Sequence, residues 1–226
     1  MEKPRLKYNL QFFGGRGAGG ESLSASSGKP IDVRSTEDVW SIRNKANNAP
    51  YVDSINSSVR DIQNDFPDVM NTVYAVDSAT LGGADRTGTL GYYSESSGTL
   101  ALNSYYTDIG RMNAAYDNSG SYHPSRGNKN GVEAVTYHEM GHALTDHIAG
   151  KMGANGIDAA SKTIVENAYK ATKGRGGTKA WAGKISGYAK DSFAECVAEA
   201  VCDYYCNGRN ANSNSLAIMS ELRKYK

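Results

Sequence analysis

Apolar positions recur at helical spacing through Ile55, Val59 and Ile62 to Phe66, predicting a helix over residues 54–65 that Pro67 stops. A shorter amphipathic signal built on Val39 and Trp40 covers residues 35–44. Residues 72–76, 89–93 and 99–103 are instead rich in β-branched and aromatic side chains, and the turn Glu95-Ser-Ser-Gly98 joins the last two. They predict a small sheet ending in a hairpin. After a polar stretch, 117–130, the helical period returns over 131–148, with Val132, Val135, Leu144 and Ile148 on the apolar side. Residues 158–172 and 213–226 also read as helices, and 174–183 as loop. The strongest period runs over 191–206 through Phe193, Val197, Ala200, Val201 and Tyr204, with Gly208 as its stop. Sheet first and helices after is the α+β pattern, and no internal repeat is present.

The 226-residue chain has room for one domain with a proper core. Residues 14–29 are nearly all Gly, Ser, Ala and charge, so a flexible segment over 1–30 and a folded domain over 31–226 are expected. Within the first segment, Leu6 to Phe13 form an isolated apolar-aromatic patch, which reads as a loose terminus or a short docking peptide. A net charge of +1, from 25 basic and 24 acidic residues, exerts no pull toward nucleic acid or an anionic membrane. No apolar run is long enough to span a bilayer, and Glu2, Lys3, Arg5, Lys7 and Arg16 break up any secretory signal, so a soluble cytoplasmic protein is expected. Cys196, Cys202 and Cys206 suit neither a disulfide framework nor a metal knuckle and read as free thiols.

Chemistry enters with His138-Glu139-Met140-Gly141-His142. This H-E-x-x-H places two imidazoles four residues apart on one helical face, where both reach one ion, with a glutamate alongside to take a proton from water. Neutral imidazole suits zinc, but a catalytic zinc has three protein ligands and one open position. The longer pattern with a third histidine fails, because Thr145 replaces its glycine and His147 falls one residue early, so His147 reads as a surface or packing residue. Asp146, one turn beyond His142, serves equally as a partner of an imidazole or as a solvent-facing acid. A better third ligand lies in Asp191-Ser-Phe-Ala-Glu195-Cys-Val-Ala-Glu199, a helix carrying two carboxylates one turn apart. One of them binds the ion while the other orients a histidine, with Glu195 the first choice and Glu199, Asp146 or His123 behind it. Ser192-x-x-Glu195 also fits a capping box, which would turn Glu195 back onto the backbone.

Taken together, H-E-M-G-H and the later Tyr188-x6-Glu195-Cys-Val-Ala-Glu199-Ala200 resemble the gluzincin metallopeptidases, in particular the family of the anthrax lethal factor catalytic domain and the clostridial Pro-Pro endopeptidases. The resemblance spans residues 85–206 and implies a zincin-like domain with His138, His142 and Glu195 as zinc ligands. It also implies Glu139 as base, Tyr188 as hydrogen-bond donor to the transition state, and Glu199 as support behind a ligand. Cys196 and Val197 depart from the family's usual aromatics. A second, short resemblance joins Lys7-Tyr-Asn-Leu-Gln-Phe-Phe-Gly-Gly-Arg-Gly to the start of structural and minor head proteins in phages of Firmicutes, and implies virion proteins as partners through residues 6–13.

The activity implied is zinc-dependent hydrolysis of peptide bonds in a protein or peptide substrate, with residues 99–103 either the edge strand that would pair with it or an interior strand. A virion structural protein that keeps the fold without turnover, and a zinc hydrolase of a non-peptide bond, are the competing expectations.

Overall fold

The computed structural model describes residues 49–71, 75–79, 89–96, 98–106 and 108–226. The helix expected at 35–44, the glycine-rich segment and the apolar patch at 6–13 lie outside them. Helix α1 (Ala49–Asp65) starts earlier than its apolar period, because Pro50 is tolerated in a first turn. It buries Ile55, Val59 and Ile62 and ends, as expected, before Pro67.

Three strands follow: β1 (Ala75–Ala79), β2 (Gly91–Ser94) and β3 (Thr99–Asn103). Their order is β1-β3-β2, with β3 parallel to β1 and antiparallel to β2, so the expected hairpin is present. β1 begins three residues later than its reading of 72–76. Of the two readings of residues 99–103, the interior one holds. Residues 99–103 form the central strand, hydrogen-bonded on both sides, and offer no edge to a peptide. Strand pattern alone does not tell an edge from a centre, because both bury one face.

Helix α2 (Ile109–Asn118) had no visible period, since it buries only Met112 and Tyr116. Its N-cap fixes it: Arg111 N–H donates to Asp108 Oδ1 at 2.9 Å. Helix α3 (Gly131–Met152) starts where expected, at a reciprocal cap between Asn130 and Glu133. It runs one turn past the expected 148 and closes at Gly153, whose left-handed φ of 64° a side chain would strain. Helices α4 (Gly156–Ala171) and α6 (Phe193–Asn207) follow their apolar periods closely, Gly208 caps α6, and α7 (Ser213–Leu222) stops short of the expected 226 in a 3-10 turn over Arg223–Tyr225. Within the presumed loop 174–183 lies a short helix, α5 (Thr178–Ala182), pinned by buried Trp181, whose Nε1 donates to Thr172 Oγ1 at 3.0 Å.

The mixed α+β architecture is built around α3, which packs against α1, α2, α4, α6 and β2 and is buried on nearly every side. Its tightest contact is with α6. A Cβ on Gly141 would stand 2.8 Å from Ala198 Cα and 3.2 Å from Val201 Cβ, so only glycine permits the approach. No helix among the described residues is long and apolar enough to cross a membrane.

Gly141 and Gly150 lie on the same helix in opposite environments, since nothing stands within 4 Å of a Cβ built on Gly150. Gly150→Ala is expected to stabilise the fold by about 0.5–1 kcal/mol through helix propensity. Gly141→Ala is expected to destabilise it by about 1–3 kcal/mol through overpacking, despite the same propensity gain. Urea unfolding of the two variants checks the difference in sign.

Candidate metal centre

One turn of α3 and the first turns of α6 bring three donor atoms together. His138 Nε2 lies 3.2 Å from His142 Nε2 and 3.2 Å from Glu195 Oε2, and His142 Nε2 lies 3.4 Å from the same oxygen. Glu195 Oε2 accepts no hydrogen bond, although it is buried. Bonds of about 2.0–2.1 Å from a tetrahedral ion would space its ligand atoms about 3.3–3.4 Å apart, and the observed triangle matches that spacing. These three buried residues form a group that could hold a metal ion. The rival capping reading is half realised: Glu195 N–H donates to Ser192 Oγ at 3.0 Å, while the Glu195 carboxylate turns to the histidines.

Glu199, the other carboxylate, sits behind His138. Its Oε1 lies 2.8 Å from His138 Nδ1 and 3.1 Å from His123 Nδ1, and its Oε2 accepts from Ser186 Oγ at 2.6 Å. Burial would raise the Glu199 pKa, but the charge and hydrogen bond of His123, with those of His138, hold it down at about 2. Glu195 is likewise held well below the usual carboxylate range, because His142 and His138 outweigh its burial. Burial alone would drive the proton off His138, yet the Glu195 and Glu199 carboxylates beside it push its pKa up to about 10. A cation at Nε2, whether a proton or a metal ion in its place, is therefore favoured.

Glu139 is buried beside the triangle, and neither of its oxygens has a hydrogen-bond partner. Burial pushes its pKa up to about 7 against the opposing charges of His138 and His142. Strand β2 forms its wall, where a Cβ on Gly91 would stand 3.1 Å from Glu139 Oε1. Tyr188 lies in a 3-10 turn just before α6, its ring stacked on His138 with centroids 5.9 Å apart and planes 18° from parallel. Burial and a hydrogen bond to Glu195 raise its pKa far above the ordinary phenol value.

Asp146 and His147 do not join the group. Asp146 accepts from Tyr93 Oη at 2.7 Å, and His147 is half-buried. Sequence reading missed Ser186 and gave His123 only a remote place as a ligand; both come from aperiodic segments, and the structure sets them behind Glu199. The three cysteines are free thiols as expected, and Cys196 and Val197 are buried in the core. A cavity of about 830 Å³ lies between α4, α5 and the start of α6, with Phe193, Cys196 and Ala189 in its wall. His138, Glu139, His142, Tyr188 and Glu195 are not among the residues that line it. No family model, curated protein or solved structure matches this chain.

One divalent transition-metal ion per chain is expected by elemental analysis, and none in His142→Ala or Glu195→Ala. Saturating metal at 100 times its Kd should stabilise the fold by about 2.7 kcal/mol, seen as a fall in Tm on adding chelator. Full occupancy in the Glu195 variant would move the third ligand elsewhere.

Proposed function

We propose that this chain is a zinc-dependent endopeptidase with a zincin-type catalytic domain, in which His138, His142 and Glu195 hold the ion and Glu139 is the general base. One juxtaposition carries the reading: three donor atoms at ligand spacing, with a buried carboxylate beside them that nothing else engages. Two imidazoles and a carboxylate suit a borderline ion such as zinc, whereas calcium and magnesium take oxygen ligands. Three protein donors leave a tetrahedral corner open, and closing it with Cys or His is the mark of a structural site. Cys202, whose thiol touches α3, is engaged with Ala134 O and Tyr116 Oη instead.

When bound, zinc supplies Lewis acidity that activates water and polarises a carbonyl. Glu139 takes the proton of the attacking water and returns it to the leaving amine. Tyr188, whose hydroxyl rests on Glu195, donates to the carbonyl oxygen as negative charge gathers there. Glu199 holds His138 by its Nδ1, which turns the Nε2 lone pair toward the other two donors. The choice of a peptide bond rests on the resemblance of the two helices to gluzincins. A structural protein would bury Glu139 without hydrogen bonds at a cost and for no return.

Purified protein is expected to cleave members of a peptide library. Glu139→Gln should retain the ion and lose at least about 100-fold in kcat/KM. Tyr188→Phe should lower kcat by about 100-fold or more, as removal of an oxyanion donor does, with little change in KM. Equal cleavage by the wild type and the Gln variant would assign the activity to a contaminant. Hydrolysis of esters or amides other than peptides, with peptides left intact, would replace the substrate class.

A further inference from the structure

We infer that His123 is a positioning residue of this centre: it fixes the Glu199 carboxylate, which in turn fixes the ligand ring of His138. The inference rests on the proposed metal site and extends it by one residue. Glu199 is fully buried, and its ionised carboxylate can only accept. Both rings at its Oε1, His138 at 2.8 Å and His123 at 3.1 Å, must therefore present Nδ1–H. That requirement sets the tautomer of His138 and leaves Nε2 to face His142 and Glu195. Oε1 carries two donors and Oε2 carries the Ser186 hydroxyl, so the carboxylate is held from both ends. With His123 gone, one donor at each oxygen remains, and the soft terminal torsion of a glutamate lets the carboxylate pivot.

His123 is itself held. Its ring sits among Tyr116, Tyr122 and Tyr188, with centroids 5.4, 5.1 and 5.6 Å away. The turn before it, Gly120–Tyr122, is stitched to the loop that carries Ser186 and Tyr188. Gly187 N–H donates to Ser121 O at 2.9 Å, Tyr122 Oη to Asp191 Oδ2 at 3.0 Å, and Ala189 N–H to Ser186 Oγ at 3.0 Å. One small cluster thus aligns the support behind the ligand ring and the backbone that carries Tyr188.

The test is zinc affinity, measured by competition with a chromophoric chelator on the full chain. His123→Leu should weaken zinc binding by about 10–100-fold, the usual effect of losing an outer hydrogen-bond partner of a ligand. His123→Asn, whose amide N–H stands close to where imidazole Nδ1 was, should recover most of that loss. Ser186→Ala should weaken binding in the same direction. Wild-type affinity in His123→Leu would overturn the inference, as would equal losses in the Leu and Asn variants with unchanged circular dichroism, which would reduce His123 to packing. Should the Leu variant fail to fold, long-range ¹H–¹⁵N spectra of zinc-loaded wild type decide: His123 protonated at Nδ1 supports the inference, and His123 protonated at Nε2 alone overturns it. A wild type that takes no zinc would remove the proposed metal site and this inference with it, whereas tight binding insensitive to His123 would remove the inference alone.

Discussion

How closely α3 and α6 approach decides everything else at this centre, because neither helix carries a complete donor set. Each presents the same arrangement of side chains at positions i, i+3 and i+4: His138, Gly141 and His142 on one, Glu195, Ala198 and Glu199 on the other. In each the outer residues are polar and the middle one is small. Facing each other, the small pair lets backbone meet backbone, and the polar pairs close over the contact from either side. A side chain at 141 would separate the helices by pushing on Ala198, a residue that lies between the two acids it helps to place. The glycine inside the H-E-x-x-H segment is thus as much a part of the geometry of the three donors as the histidines are.

Such an approach brings three carboxylates and two imidazoles into a region almost closed to solvent. Burying charges is costly unless they are paired or hold a metal, and the molecule handles its three acids differently. Glu199 is saturated with donors, Glu195 faces two imidazole nitrogens, and Glu139 has no hydrogen-bond partner at all. A divalent cation among the three facing donor atoms would relieve the first-turn acid and attract the free one. The cost of holding this cluster together falls on the surrounding apolar packing of α3, α4, α6 and α7.

Much of this was legible in the sequence. The histidine pair was read from its spacing, α3 and α6 from their period, and Glu195 from its place beside Glu199 on a helix of small and apolar residues. What was not legible has common physical causes. Helices α2 and α5 are held by a cap and by one buried indole, not by an apolar stripe long enough to show a period. The central place of β3 depends on β1, a strand that pairs with it in parallel across a long connection, which no local pattern encodes. His123 and Ser186 act through tertiary contacts across 76 and 13 residues, from a turn and a loop whose sequences look like any other polar connection.

Glu139 and Glu199 show why residue type alone could not have assigned their tasks. Both are glutamates in helix interiors, both are fully buried, and both stand beside His138. Three donors converge on Glu199 and stabilise its charge, so it has no reason to take up a proton and serves to hold a ring still. Glu139 is buried against the wall of β2 with no hydrogen-bond donor at either oxygen, and burial raises its affinity for a proton despite the two imidazoles beside it. In the proposed hydrolysis, a carboxylate that accepts a proton and gives it back within one cycle would need that second environment, whereas a support would need the first. The fold separates the two by putting one acid against β2 and the other where Ser186 and His123 come in, so the difference in their proton affinity is set by what surrounds each carboxylate.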